Sequence, residues 1–243
     1  MSKQFTLTVV TLFPEAFPGP LAHSITGRAL QEGKWRCETV NIRDFATDKH
    51  RTVDDTPYGG GAGMVMRPDI VAAAIRAARA QNPGAPVVYL TPVGKVFDQA
   101  QANTYATLPG LILLCGHYEG IDQRVLDAEV DAEISLGDFV LTGGEIAVYP
   151  VVDAILRHLP GVLGNNETLA EESFSPALHG LLEYPHYTRP ELWEGAAVPA
   201  VLTSGHHGQI ASWRLAQAQA RTQARRPDLP VPALDLKKDK KSK

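Results

Sequence analysis

Short apolar runs alternate with helix-like patterns between residues 6 and 159, and this alternation constrains the fold more than any other feature of the sequence. The runs are rich in β-branched residues or bounded by glycine and proline, as is typical of buried strands. The pattern predicts an α/β fold with a mostly parallel sheet covered by helices on both faces. Predicted strands cover residues 6–12, 38–42, 87–90, 111–115, 133–136 and 139–142, and predicted helices cover residues 24–31, 68–80, 97–106 and 149–159.

Composition favours an ordinary soluble protein of the cytoplasm. Of the 243 residues, 44% are hydrophobic and 21% are charged, which is usual for a globular chain. No apolar run approaches the roughly 18–20 residues of a membrane-spanning helix, and the N-terminus lacks the cleavage site of a signal peptide. The two cysteines, Cys37 and Cys115, form no CxxC motif. We therefore expect no disulfide framework, no zinc site and no membrane association.

Glycines follow three of the predicted strands, each time beside polar residues. Any one of these glycines is explained by a tight turn, but three strand ends of this kind within one short stretch favour a ligand site. Ligands of open α/β sheets bind at the carboxyl ends of strands, and glycine lets the backbone approach closely. The residues concerned are Gly116 before His117, Tyr118 and Glu119, then Gly137 before Asp138, and finally Gly143 and Gly144.

A second glycine-rich segment, residues 59–63, is predicted to be a loop, because so many glycines disfavour both helix and strand interiors. It lacks the Gly-Lys-Ser/Thr ending of a phosphate-binding P-loop, so we reject nucleotide binding of that kind. A loop this rich in glycine needs a ligand or a partner chain to order it. We therefore expect a homodimer in which one subunit completes the site of the other.

The C-terminal third differs in character from the rest of the chain. Its last predicted helix runs from residue 208 to about 226, and Arg214, Arg221 and Arg225 share one face of it. Because the net charge is −4, binding to nucleic acid would need such a local basic patch. The predicted organisation is a first domain of residues 1–160, a polar and acidic linker of residues 161–177, a second domain of residues 178–236 and a disordered basic tail of residues 237–243.

Six motifs in one order resemble those of the bacterial tRNA (guanine-N1)-methyltransferase family, and together they span about residues 5–230. The family methylates the guanosine immediately 3′ of the anticodon. The resemblance implies a SPOUT-class fold with a C-terminal trefoil knot, S-adenosylmethionine as methyl donor, a small all-helical domain that binds tRNA, and a homodimer. The motifs are YGGGAGM at 58–64, YLTPVG at 89–94, CGHYEGIDQR at 115–124, SLGDFVLTGGE at 135–145, PHYTRP at 185–190 and SGHHGQIASWR at 204–214.

The resemblance also implies the residues that bind the methyl donor. Leu136 and Leu141 are expected to flank the adenine ring, although ordinary core packing would also explain them. One departure is Ala147, where the family usually has proline, and it affects only a small packing contact. The donor-binding residues implied in this way are Tyr89, Leu90, Pro92, Gly116, Tyr118, Glu119, Leu136, Gly137, Asp138, Phe139, Val140, Leu141, Gly143 and Gly144.

Methylation of guanine N1 requires a base for the N1 proton and a cation near O6, where negative charge develops. The family places an aspartate before a Ser-Phe pair, and this sequence has Glu172 there, so the resemblance implies Glu172 as the base. Its neighbour Glu171 is the alternative. The implied cation is Arg157, although an arginine at a helix end commonly only complements the helix dipole.

Contacts with tRNA are expected in the last third of the chain, where arginines would meet phosphates and Tyr187 or His186 would stack on an unpaired base. Magnesium is associated with the reaction through the resemblance, but no motif places it. The nominated RNA-binding residues are His186, Tyr187, Arg189, Ser204, His206, Arg214, Arg221 and Arg225.

Two other functions stay open at this point. One is a knotted methyltransferase that acts on another RNA base or on a ribose, which would share the donor site without needing a linker carboxylate. The other is an RNA-binding module that keeps the fold but binds no S-adenosylmethionine.

Overall fold

The structure is a computed structural model and describes residues 4–164, 169 and 171–232. The chain forms two compact units, residues 1–164 and residues 165–243. The division falls inside the predicted linker. Val162 and Leu163 are buried in the first unit, whereas the backbone of Phe174 bonds to that of Leu181 within the second. Both ends of the predicted linker are thus folded into their units.

A five-stranded sheet forms the centre of the first unit, with the strand order β2-β1-β6-β5-β7. Every neighbouring pair in it is parallel, which confirms the predicted α/β fold. A separate antiparallel pair, β3 with β4, flanks the glycine-rich loop. The strands of this unit are β1 Phe5–Thr11, β2 Trp35–Asn41, β3 Asp54–Asp55, β4 Val65–Met66, β5 Val87–Val96, β6 Gly110–Cys115 and β7 Ala132–Ser135.

Helices connect the parallel strands, and several of them begin at residues with a clear physical role. Pro68 occupies the first turn of its helix, where a missing N–H costs nothing, and Asp98 and Gln101 form a capping box. Short 3-10 turns cover residues 14–16, 19–22 and 42–45. The helices are α1 Ser24–Gln31, α2 Pro68–Gln81, α3 Gln99–Ala106, α4 Gln123–Glu129 and α5 Glu145–Leu156.

Both faces of the sheet carry an apolar core. Strand β6 shows the arrangement, because its side chains alternate between the two faces. Leu111 and Leu113 belong to the core that includes the buried face of α5, while Ile112 and Leu114 belong to the core beneath α2. The buried parallel sheet therefore has the two covered faces that the alternation of strands and helices predicts.

Three sequence predictions for this unit are wrong in detail. Residues 139–142 form no strand; they have no neighbouring strand to pair with, and Val140 is 84% exposed. Helix α5 begins four residues before the predicted start and contains Pro150, because the burial of side chains such as Val148 and Val151 outweighs the lost hydrogen bond. Helix α4 was not predicted, since its seven residues are too few for a clear period.

The second unit is small and not purely helical. Helices α6, Ala200–Thr203, and α7, His207–Arg225, accompany a short antiparallel hairpin of β8, Leu192–Trp193, with β9, Ala196–Ala197. The hairpin corrects the predicted all-helical composition; its turn contains Glu194 and Gly195, both at positive φ. The core consists of Leu178, Leu181, Tyr184 and Ala218, with Leu215 beside them. Residues 233–236 of the predicted domain and the predicted tail lie outside the described residues.

Candidate active site

A cavity of about 320 Å³ lies at the carboxyl ends of β5, β6 and β7 in the first unit. This is the edge of an open α/β sheet where ligands bind, and the volume is at the lower end of the range of small-molecule sites. Its walls come from residues 89–93, 116–120, 134–136 and 139–144, with Ala147 from the first turns of α5.

The structure brings together most of the residues nominated for the methyl donor. Gly137 and Asp138 are the exceptions, because Gly137 turns the chain at φ +145° and its N–H bonds to the hydroxyl of Ser135. The nominated residues that line the cavity are Tyr89, Leu90, Pro92, Gly116, Tyr118, Glu119, Leu136, Phe139, Val140, Leu141, Gly143 and Gly144. Lining residues that the motifs did not single out for the donor are Thr91, Val93, His117, Gly120, Ile134, Ser135, Thr142 and Ala147; all but Ile134 and Ala147 adjoin nominated residues.

Two glycines let the walls approach one another. The N–H of Gly144 donates a hydrogen bond to the carbonyl oxygen of Gly116 at 3.0 Å. A Cβ atom on Gly144 would lie 2.7 Å from Cα of Cys115, and one on Gly116 would lie 2.6 Å from the hydroxyl oxygen of Tyr89. Such distances are too short for a side chain, so both glycines are required by the close approach of their loops to β6 and to the Tyr89 side chain of β5.

Two buried ionisable residues stay neutral in or beside the cavity: Tyr89 lines it, and Cys115 immediately precedes the lining residue Gly116. Burial raises the pKa of Tyr89, and burial also raises the pKa of Cys115 well above that of a free thiol. A neutral Cys115 is a poor nucleophile. The site therefore offers no activated thiol, and covalent catalysis through this cysteine is disfavoured.

A histidine–glutamate pair joins the loop after β6 to the start of α5. Nε2 of His117 lies 2.7 Å from Oε2 of Glu145, and the hydroxyl of Thr11 donates to Oε1 of the same carboxylate at 2.5 Å. Neighbouring Tyr118 has φ 58°, which is unusual for a residue with a side chain. The loop after β6 is thus held in a strained conformation by buried contacts.

The glycine-rich loop ends beside the cavity residue Glu119. The N–H of Glu119 donates to the carbonyl oxygen of Met64 at 2.9 Å, and a Cβ atom on Gly63 would overlap the Glu119 side chain. The tip of the loop is different: Tyr58 is 99% exposed, and Gly59 to Gly61 have positive φ. The loop prediction is confirmed, and only the end of the loop is anchored at the cavity.

Arg157, the nominated cation, follows the last residue of α5. The same helix starts beside the cavity, where Gly144 and Ala147 contribute to the lining. Thirteen positions separate Gly144 from Arg157, which is about 20 Å of helix at 1.5 Å per residue. Arg157 is therefore not among the residues that line the cavity.

The two candidate bases have different surroundings in the second unit. Glu171 accepts a hydrogen bond from the hydroxyl of Tyr184 at 2.6 Å and lies 3.4 Å from a guanidinium nitrogen of Arg214. Glu172 lies in a turn, where its carbonyl oxygen accepts from the N–H of Ser175. Glu171 thus has a structural role within the second unit.

The nominated RNA-binding residues fall into two groups. Several support the second unit itself: Arg214 stacks 4.8 Å from the ring centre of Tyr184, and Arg221 donates to the carbonyl oxygen of Glu183. The hydroxyl of Ser204 accepts from the N–H of His206 in the turn before α7. The residues with exposed side chains are His186, Tyr187, Arg189, Ser204, His206 and Arg225.

Within the described residues, no three or more His, Cys, Asp or Glu side chains are grouped so that they would hold a metal ion. The same part of the chain contains no helix with the length and apolar character needed to cross a membrane.

Comparison with known proteins identifies the family. Residues 5–231 match the model of the family described as tRNA (Guanine-1)-methyltransferase TrmD. A tRNA (guanine-N(1)-)-methyltransferase of Rhodospirillum rubrum is 60% identical over 222 residues, covering 91% of this chain and 90% of the relative. The enzyme of the same name from Chloroflexus aggregans is also 60% identical, covering 91% of this chain and 86% of the relative.

A third relative with that name, from Sphingopyxis alaskensis, is 53% identical over 225 residues, covering 93% of this chain and 91% of the relative. Each of these matches covers most of this chain and most of the relative, and together they confirm the family predicted from the six motifs. The chain belongs to the TrmD family of tRNA (guanine-1)-methyltransferases.

Proposed function

We propose that the protein transfers a methyl group from S-adenosylmethionine to N1 of the guanosine immediately 3′ of the anticodon in tRNA. The observation that carries this proposal is the cavity at the carboxyl ends of β5, β6 and β7, in a chain that belongs to the TrmD family. Relatives from three genera carry the name tRNA (guanine-N(1)-)-methyltransferase.

The cavity has the chemical character that S-adenosylmethionine requires. Pro92, Leu136 and Leu141 provide apolar surface for the adenine ring, and the loop residues 139–144 provide backbone groups for its polar edge. When bound, S-adenosylmethionine supplies a methyl group on a sulfonium centre. Glu119, the one carboxylate among the lining residues of the described chain, is suited to the positive charge of that molecule.

The reaction needs a proton acceptor and a cation in addition to the donor. We assign the acceptor role to the Glu172 carboxylate, which takes the N1 proton as the bond from N1 to the methyl carbon forms and the bond from sulfur to that carbon breaks. We assign the stabilisation of charge at O6 to the guanidinium of Arg157. Each contribution of this kind is typically worth about 10²–10⁴ in rate.

The second unit is the proposed tRNA-binding domain. Arg189 and Arg225 have exposed guanidinium groups suited to phosphates, and the exposed rings of His186 and Tyr187 are suited to stacking on an unpaired base. Arg214 and Arg221 contribute mainly by holding this unit together. The target guanine has to leave its stack to be methylated.

The working enzyme is proposed to be a homodimer. Arg157 lies about 20 Å along α5 from the cavity of its own subunit, so a partner subunit has to supply this residue to each site. Exposed apolar side chains around the cavity mouth, namely those of Val93 and Val140, are each 84% exposed and provide surface for such an interface. A partner would also order the exposed tip of the glycine-rich loop.

Three further features are proposed from the family alone. The loop of residues 137–144 and helix α5 would form a trefoil knot of the SPOUT class, magnesium would assist the reaction, and the enzyme would work in the cytoplasm, where tRNA is found. Activity assays with and without a metal chelator test the role of magnesium.

The experiment that tests the function compares two tRNA transcripts that differ only in the nucleotide 3′ of the anticodon. With labelled S-adenosylmethionine, we expect methyl incorporation when this nucleotide is guanosine and none when it is adenosine. Equal incorporation would instead favour a knotted methyltransferase that acts on another base or on a ribose. A calorimetric titration that detects no binding of S-adenosylmethionine would favour the RNA-binding module without activity.

A further inference from the structure

Glu145 connects three parts of the first unit that are distant in sequence. It is the first residue of α5 and is buried. Its Oε1 accepts from the hydroxyl of Thr11, which ends β1, at 2.5 Å. Its Oε2 accepts from Nε2 of His117, which follows β6, at 2.7 Å. One carboxylate thus ties the start of a helix to the ends of two neighbouring strands.

The surrounding backbone is built to admit this contact. A Cβ atom on Gly143 would overlap the His117 ring and would lie 2.9 Å from Oε2 of Glu145. Next to it, the N–H of Gly144 donates to the carbonyl oxygen of Gly116. The loop after β6 and the loop before α5 are therefore held at one fixed spacing, and residues of both loops line the cavity.

The position of Glu145 calls for an explanation beyond helix capping. A carboxylate near a helix N-terminus is favourable when exposed, but burying one is costly unless its oxygens are well bonded. Glu145 uses one oxygen for Thr11 and the other for His117. The cost of burial is offset by bonds that set the separation of the cavity walls, which an exposed cap would not provide.

We propose that Glu145 is a positioning residue for the methyl donor. It does not line the cavity, whereas His117 does, so Glu145 acts through His117 and through the spacing of the two loops. Removing its carboxylate leaves the His117 ring and the Thr11 hydroxyl without this partner, and the walls that would enclose the donor lose their fixed separation. The proposal rests on the proposed function, because it takes the cavity to be the site of S-adenosylmethionine.

The test measures the dissociation constant of S-adenosylmethionine by calorimetry for the full-length Glu145→Ala variant, at a temperature at which circular dichroism shows it folded. We expect the constant to rise about tenfold or more, the usual consequence of losing a hydrogen bond to a charged group. Glu145→Gln should restore affinity to within about threefold of wild type. Its amide oxygen still accepts from Thr11, and its amide nitrogen donates to Nε2 of His117 once the imidazole carries its proton on Nδ1 instead. A purely structural role would lower the melting temperature without changing the dissociation constant.

The test has a control variant, Glu38→Gln, and a substitute variant, Thr11→Val. Glu38→Gln, at a half-buried position of β2 that is paired with Arg36, should leave the constant unchanged. If Glu145→Ala does not fold, Thr11→Val removes one bond of the same set and should still raise the constant by about threefold or more. A folded Glu145→Ala variant that binds within about threefold of wild type would overturn the proposal, and so would unchanged binding by Thr11→Val in its place.

The wild-type titration separates this proposal from the proposed function. Wild-type protein that binds no S-adenosylmethionine contradicts the function itself. If the wild-type protein binds the donor and methylates tRNA, and the Glu145→Ala variant binds the donor equally well, the result contradicts only the role of Glu145.

Discussion

The hydroxyl of Tyr184 donates a hydrogen bond to Oε2 of Glu171 at 2.6 Å. Tyr184 belongs to the small core of the second unit, and Glu171 immediately precedes the proposed base. Arg214, on α7, completes the group by stacking on the tyrosine ring and approaching the same carboxylate. The segment that carries the proposed base is thus anchored to the core of its own unit.

This contact predicts how stability depends on alkaline pH. Burial, and then the hydrogen bond to Glu171, raise the pKa of Tyr184 from 10.0 to about 12. The folded protein therefore holds the phenol proton more tightly than the unfolded chain does. The contribution of Tyr184 to the free energy of unfolding is complete below pH 10 and is lost as the pH rises towards 12. Tyr184→Phe should cost about 1 kcal/mol at neutral pH.

Urea denaturation of wild type and Tyr184→Phe, followed by a signal from the second unit, measures this difference. The gap in unfolding free energy should be constant between neutral pH and pH 10, and it should shrink between pH 10 and about 12. A gap that stays the same across that range, or that widens, would show that folding does not raise the pKa of Tyr184.

The same anchoring distinguishes the two candidate bases. Glu172→Gln should lower the single-turnover rate of methylation by about 10²–10⁴, the usual contribution of a positioned base. The matched variant Glu171→Gln should have a much smaller effect, because its amide oxygen still accepts from Tyr184. Rapid-quench kinetics with saturating tRNA and donor measure both rates. If Glu171→Gln were the slower variant, Glu171 would be the base instead. A near-normal rate for both variants would exclude this segment as the source of the base.

Close contact between loops predicts that Gly144 tolerates no side chain. Gly144→Ala places a Cβ atom 2.7 Å from Cα of Cys115, and overpacking of this kind costs about 1–3 kcal/mol. The loops have to separate, so binding of S-adenosylmethionine should weaken as well. Gly208→Ala is the control, since its Cβ would meet nothing within 4 Å. Equal melting temperatures and donor affinities for the two variants would refute the close approach.

The length of α5 predicts that active sites are shared between subunits. Arg157→Ala should inactivate the enzyme with little loss of donor affinity, and Gly144→Ala should impair the cavity. In a mixed dimer of the two variants, one site combines an intact cavity with an intact Arg157 from the partner. Co-refolding an equal mixture should therefore restore a substantial part of wild-type activity. A mixture that stays as inactive as the separate variants would show that Arg157 serves its own subunit.

Local patterns made some of the fold predictable. The predicted bounds of α1, Ser24–Gln31, agree with the structure, because a glycine follows the periodic stretch. The run Leu111–Cys115 lies within β6, because it is apolar throughout and bounded by glycines. The run of residues 139–142 has a similar composition and is also followed by glycines, yet it forms no strand. Composition alone does not reveal whether a neighbouring strand is available for pairing.

Long-range contacts were not predictable in this way. The partners His117 and Glu145 are 28 residues apart, and Glu145 is 134 residues from Thr11. Each residue alone looks like an ordinary polar residue at the end of an element. Similarly, the spacing of Arg214, Arg221 and Arg225 on one helix indicated a basic face, but it did not reveal that two of them bond within their own unit.

The most direct test of the central claim is the identity and position of the methylated nucleotide. Purified protein is incubated with an unmodified tRNA transcript and S-adenosylmethionine, and the digested product is sequenced by mass spectrometry. We predict 1-methylguanosine at the nucleotide immediately 3′ of the anticodon and at no other position. A methyl group on a ribose, on another base, or on a guanosine elsewhere in the tRNA would contradict the account.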